Sequence, residues 1–163
     1  MADEVEGADD VEFATEHVPD VAYLFQPFHV RQYESVTKGK RGNTAALIQQ
    51  HGDDGVSCDW NKYRSLEESI GGRGQEPEKY GAVVLNVGRV RSEGNAHVAH
   101  DPIPEGAPFG PNRAHSLIQD PDSDPKRGFM KRAFKQEVRV RLFGLVEGVV
   151  RPGDPVPTKY DAA

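Results

Sequence analysis

Cysteine occurs once in these 163 residues, at Cys58, so the chain can form neither an intrachain disulfide nor a cysteine-based zinc cluster. A lone thiol predicts a reducing, cytoplasmic setting, and at Cys58 a small buried hydrophobe rather than a nucleophile. No run approaches the roughly 18 apolar residues of a membrane span, so no membrane partner is expected. The opening Met1-Ala-Asp-Glu has neither the basic nor the apolar region of a secretory leader, and none is expected. Lysine and arginine are absent before Arg31. Asp3, Glu4, Glu6, Asp9, Asp10, Glu12, Glu16 and Asp20 put eight acids into the first twenty positions, so a net charge of −6 hides a remainder close to +2.

Glycine and proline are plentiful, at 17 and 12, and they predict a loop-rich chain. Residues 1–16 are expected to be an acidic disordered tail, too poor in apolar surface to offset the entropy of ordering. Residues 17–150 suit a single α+β domain, and 151–163 a Pro-rich C-terminal tail, extended or disordered. The expected architecture is a small mixed or antiparallel sheet with one or two packed helices.

Within that frame Val21–Gln26 is aromatic and β-branched and predicts a strand, with Pro27 confining it to an edge or one side of a break. Ser65-Leu-Glu-Glu68 fits a capping box ahead of a short helix at Leu66–Ile70, ended by Gly71-Gly72. Gly81–Arg91 reads as a strand whose first half is apolar on both faces, hence central in the sheet. Asp124-Pro125 fits a cap and first helical position, with helical spacing of apolar residues continuing to Leu142. Val138-Arg-Val-Arg-Leu-Phe alternates with period two, so a strand over 138–146 competes with that helix.

Chemistry-bearing residues concentrate between His97 and Ser116, where three of the six histidines fall. Ala96–His100 and Arg113–Gln119 read as two strands joined by a Pro/Gly-rich loop. Paired antiparallel and symmetrically, they set His100 opposite His115 on one face, with Ser116 on the other. A slip of one residue reverses the face of one strand.

Three readings of this pair follow. His100, His115 and Asp101 are the residue types of a metal site, but the spacing matches no metal motif, and no metal or other cofactor is expected. Metal-free acid/base chemistry needs two imidazoles across a cleft with Arg113 or Asn112 beside developing negative charge, which makes His100, His115 and Arg113 the catalytic candidates. Ser116 is a nucleophile only if a histidine reaches its hydroxyl. The plainest reading is structural: histidines at strand ends bond to main-chain carbonyls, and Asn112 closes a turn.

Two further clusters suggest ligand contacts. Trp60, Lys62 and Tyr63 combine aromatic rings with a cation, the pairing that stacks on a base and meets its phosphate, although a lone Trp is more often a core anchor. Arg127, Lys131 and Lys135 form a basic stripe if 126–135 is helical, suited to phosphates or simply to solvent, and the acidic tail is a possible screen for it. The expected function is therefore binding of a phosphate-rich ligand, a nucleotide or nucleic acid, at His100, Asn112, Arg113 and His115, with histidine-dependent phosphodiester cleavage as its catalytic form. The alternative is a non-catalytic protein-interaction module that engages protein partners through the acidic tail and the basic segment.

Overall fold

The computed structural model describes residues 12–31, 50–51, 55–72, 76–108, 110–119 and 140–162. Their framework is a seven-stranded sheet in which every pairing is antiparallel. The strands are β1 (Tyr23–His29), β2 (Gln50–His51), β3 (Gly55–Trp60), β4 (Tyr80–Asn86), β5 (His97–His100), β6 (His115–Gln119) and β7 (Gly148–Val150). Their order across the sheet is β5-β6-β3-β1-β4-β7, with β2 paired to β3. Among the described residues two short helices, α1 (Leu66–Gly71) and α2 (Val87–Ser92), a 3-10 turn at Pro77–Lys79 and a helical turn at 140–143 join the sheet in a mixed α+β, loop-rich architecture.

Side-chain alternation divides the core between the two faces of the sheet. Leu24, Phe28, Val56, Cys58, Trp60, Val83, Leu85 and Ile118 line one face, covered by α2, by Val18 and by Leu142 and Leu145. Phe25, Ala82, Val84 and Val150 line the other, covered by Leu66 and Ile70 of α1 and by Tyr160. Cys58 is fully buried in the first cluster, as its lone occurrence suggests.

Several elements differ from the sequence reading. The first strand runs on through Pro27 to His29; β3 pairs with it only at Leu24 and Phe25, so Pro27 sits where β4 is its described neighbour. The strand expected over Gly81–Arg91 stops at Asn86, whose Oδ1 accepts from the Arg89 amide at 3.0 Å and opens α2. A side-chain oxygen placed to satisfy an orphan helix amide ends the strand there. Its first half is central as expected, with Ala82, Val83, Val84 and Leu85 fully buried between β1 and β7.

The capping box forms as the sequence predicts. Ser65 Oγ accepts from the Glu68 amide at 3.0 Å and a Glu68 carboxylate oxygen accepts from the Ser65 amide at 3.1 Å. Asp161 adds a cap from the far end of the chain, its Oδ1 accepting the Leu66 amide at 2.8 Å. Residues 151–162, read as an extended tail, thus fold back: Tyr160 is 8% exposed and its hydroxyl donates to the Glu147 carbonyl. Residues 140–143 are helical and 144–147 are turn and coil, so the described part of 138–146 forms no strand; β7 begins beyond it, at Gly148. The acidic tail up to residue 11, the Asp124-Pro125 cap and the basic stripe lie outside the described residues.

Candidate functional site

The hairpin of β5 and β6 forms, but its register is one residue away from the symmetric one. His100 pairs with Ser116, Ala99 with Leu117, and Val98 with Ile118. Because partners across a ladder share a face, His100 faces the side of Ser116, Cys58 and Trp60, and His115 faces the side of Asp59. The expected juxtaposition of His100 and His115 is therefore corrected: they stand on opposite faces.

Asn112 explains the shift. Next to the loop, Ile103 and Asn112 bridge in the symmetric register, exchanging both main-chain hydrogen bonds at 2.9 and 2.8 Å. Asn112 Oδ1 then accepts from the Ala114 amide at 3.1 Å, an Asx turn that places one extra residue on this strand before Asp101 meets His115. An extra residue in one strand is a bulge, and it turns every later side chain over. Asn112 thus serves the turn, as the plainest reading had it, and its Nδ2 donates to the buried Asp59 carboxylate at 2.8 Å.

Each imidazole is occupied. His100, 4% exposed, accepts the Glu16 amide at Nδ1 at 3.0 Å, so the proton sits on Nε2, which donates to the Arg113 carbonyl at 2.6 Å. His115 has the opposite tautomer: Nδ1–H meets the Asp101 carbonyl at 2.8 Å, and Nε2 accepts from Ser57 Oγ at 3.2 Å. The Asp101 carboxylate lies 3.3 Å from the same Nδ1, so serine, histidine and aspartate stand in the order of a hydrolytic triad. Ser57 is mid-strand, however, and successive strand amides point to opposite edges, so they cannot converge on an oxyanion. Ser116, the nucleophile weighed from sequence, is fully buried and donates to the Ala114 carbonyl at 3.1 Å. Among the described residues no group of three potential metal ligands is present.

What the register does assemble is an aromatic cluster flanked by charge. Tyr63 stacks on His100 with ring centroids 5.8 Å apart and planes at 22°, and Trp60 meets both rings edge-on. Trp60 is 3% exposed, so it backs the cluster and offers no open face for stacking. Arg113 lies over the Tyr63 ring at 4.1 Å from its centroid, and Lys62 Nζ at 5.0 Å. Both distances suit cation–π attraction, and both cations keep access to solvent.

Glu16 completes the cluster. One carboxylate oxygen accepts from Lys62 Nζ at 2.6 Å and the other from the Tyr63 hydroxyl. The hydrogen bond from Lys62, then that from Tyr63, holds the Glu16 carboxyl below its ordinary range, against a smaller desolvation effect. The hydrogen bond with Glu16, then one with Tyr63, pushes Lys62 up, against a smaller desolvation effect. Sequence reading found Lys62, Tyr63 and Arg113 but missed Glu16, which it assigned to the tail. It also missed Asp59, whose carboxylate takes hydrogen bonds from Ser69 Oγ at 2.6 Å and from Asn112, with Arg64 at 3.5 Å. An acid alternating with Val56, Cys58 and Trp60 was the available signal. Arg127, Lys131 and Lys135 lie outside the described residues.

No protein-family model matches this chain, and neither the curated proteins nor the solved structures include one similar to it.

Proposed function

We propose that the chain is a non-catalytic binding domain for an anionic, phosphate-bearing ligand, a nucleotide or short nucleic acid, contacted by Lys62, Tyr63 and Arg113. The observation that carries this reading is a bound anion: the Glu16 carboxylate rests between Lys62 Nζ and the Tyr63 hydroxyl, beside the ring that Arg113 covers. A phosphate oxygen has the same needs as that carboxylate, a cation and a directed donor. Arg113 adds a planar guanidinium, which can fork onto phosphate or stack on a base. His100 supports the platform from within, and His115 belongs to the opposite face. Cleavage is left out of this reading, since the two imidazoles share no cleft. Arg127, Lys131 and Lys135 enter it through the sequence alone.

Fluorescence anisotropy of a labelled ten-nucleotide thymidine oligomer at low salt tests the reading. Wild type should bind, and Lys62→Ala and Arg113→Ala should each weaken binding and lower the salt slope by about one. Absence of binding to this probe and to ATP at low salt would refute it. A second reading, a protein-interaction module, is favoured by the same Glu16, because the anion held here belongs to a peptide. An acidic peptide that binds where the oligomer does not would select that reading.

A further inference from the structure

We infer that Glu16 is a built-in competitor, a tethered carboxylate that occupies the anion site and must leave before an external phosphate can enter. This inference rests on the anion-binding reading above. Three contacts hold the residue: its amide on His100 Nδ1, and its two carboxylate oxygens on Lys62 and Tyr63. The carboxylate contacts engage Lys62 and Tyr63, two of the three residues proposed to meet the ligand. Two residues later Val18 is 1% exposed in the core, which anchors the strap and keeps its carboxylate at high local concentration.

Release gives up one hydrogen bond to the buried His100 ring and the two carboxylate contacts. His17 is exposed and the Glu16 side chain is 32% exposed, so residues 12–17 can lift away while Val18 stays packed. The Lys62–Glu16 pair is correspondingly weak, as solvent-exposed ion pairs are, which suits an exchangeable contact. The sequence expectation laid the acidic segment over Arg127, Lys131 and Lys135, which lie outside the described residues. Here its last glutamate guards Lys62 and Tyr63.

The test uses the full-length chain and the labelled thymidine oligomer. Glu16→Gln keeps the side chain's size and removes its charge, and it should bind the oligomer about five-fold more tightly than wild type at low salt. High salt should shrink that difference. In wild type, hydrogen exchange at the Glu16 amide should be slow in the free protein and should quicken at saturating oligomer. Equal or weaker binding by a Glu16→Gln variant with unchanged thermal unfolding would overturn the competitor and leave the binding reading standing. So would a Glu16 amide that stays protected at saturation. If neither form binds the oligomer or ATP, both readings fall together.

Discussion

Asn112 donates from Nδ2 to a carboxylate oxygen of Asp59 at 2.8 Å, joining residues fifty-three positions apart with both side chains out of solvent. The same Asn112 holds the Ala114 amide, so one side chain satisfies a buried acid and sets the register of β6. Asn112→Ala strips a donor from a buried carboxylate and leaves an amide unmet. The expected loss is about 1–3 kcal/mol in urea unfolding. A loss below about 0.5 kcal/mol would show that this bond does not hold the hairpin.

The capping box at α1 makes a smaller, separable prediction. Ser65→Ala removes the acceptor for the Glu68 amide and should cost about 1 kcal/mol, read from the urea midpoint. The Ser65 amide, then its hydroxyl, also lowers the Glu68 carboxyl below its ordinary value. A depressed carboxyl stabilises the fold above the usual carboxylate range and ceases to as pH falls through its folded value. The stability difference between wild type and Glu68→Gln should therefore narrow in strong acid, where both side chains are neutral, and a constant difference would contradict the carboxylate half of the cap.

Glu16 follows the same sign. Its carboxyl is depressed by Lys62 and Tyr63, so the strap is fully docked above the ordinary carboxylate pKa of 4.5 and undocks as pH falls through the lower folded value. Trp60 is the only tryptophan, and Lys62 Nζ lies 5.3 Å from its ring centroid. Its emission should change over that acid window in wild type and stay flat in Glu16→Gln. Identical titrations of the two proteins would place the docking energy elsewhere.

Tyr160 tests whether the C-terminal segment is part of the fold. Its ring meets Tyr23 edge-on at 5.1 Å, its hydroxyl bonds to the Glu147 carbonyl, and its own carbonyl accepts from Asn61 Nδ2 at 2.9 Å. Tyr160→Ala should destabilise by about 3 kcal/mol in thermal or urea unfolding. An unchanged midpoint would make residues 151–162 an appendage.

The two histidines should part company in binding assays. His115→Ala loses bonds to the Asp101 carbonyl and Ser57, and should cost about 1 kcal/mol of stability while oligomer affinity stays within about two-fold. Arg113→Ala should do the reverse. A His115→Ala variant that binds as poorly as Arg113→Ala would return His115 to the ligand site.

Local rules were legible from residues alone. Ser65 and Glu68 form their cap because both partners lie within one helical turn, and β4 is central because its apolar run leaves no face for water. Cys58 is buried because the residues two positions either side, Val56 and Trp60, share its face of β3. The antiparallel pairing of β5 with β6 was likewise legible, since a loop joins two short β-prone runs.

Tertiary structure alone decided which face each histidine occupies and what completes the anion site. The register turns on one hydrogen bond from the Ala114 amide to Asn112 Oδ1, an event of single-residue size that hydrophobic patterning cannot resolve. Glu16 reaches His100 across eighty-four residues and Asp161 reaches Leu66 across ninety-five, contacts that no local pattern encodes. Composition thus determined the class of fold and the supply of cations and rings. Long-range packing chose which of them meet.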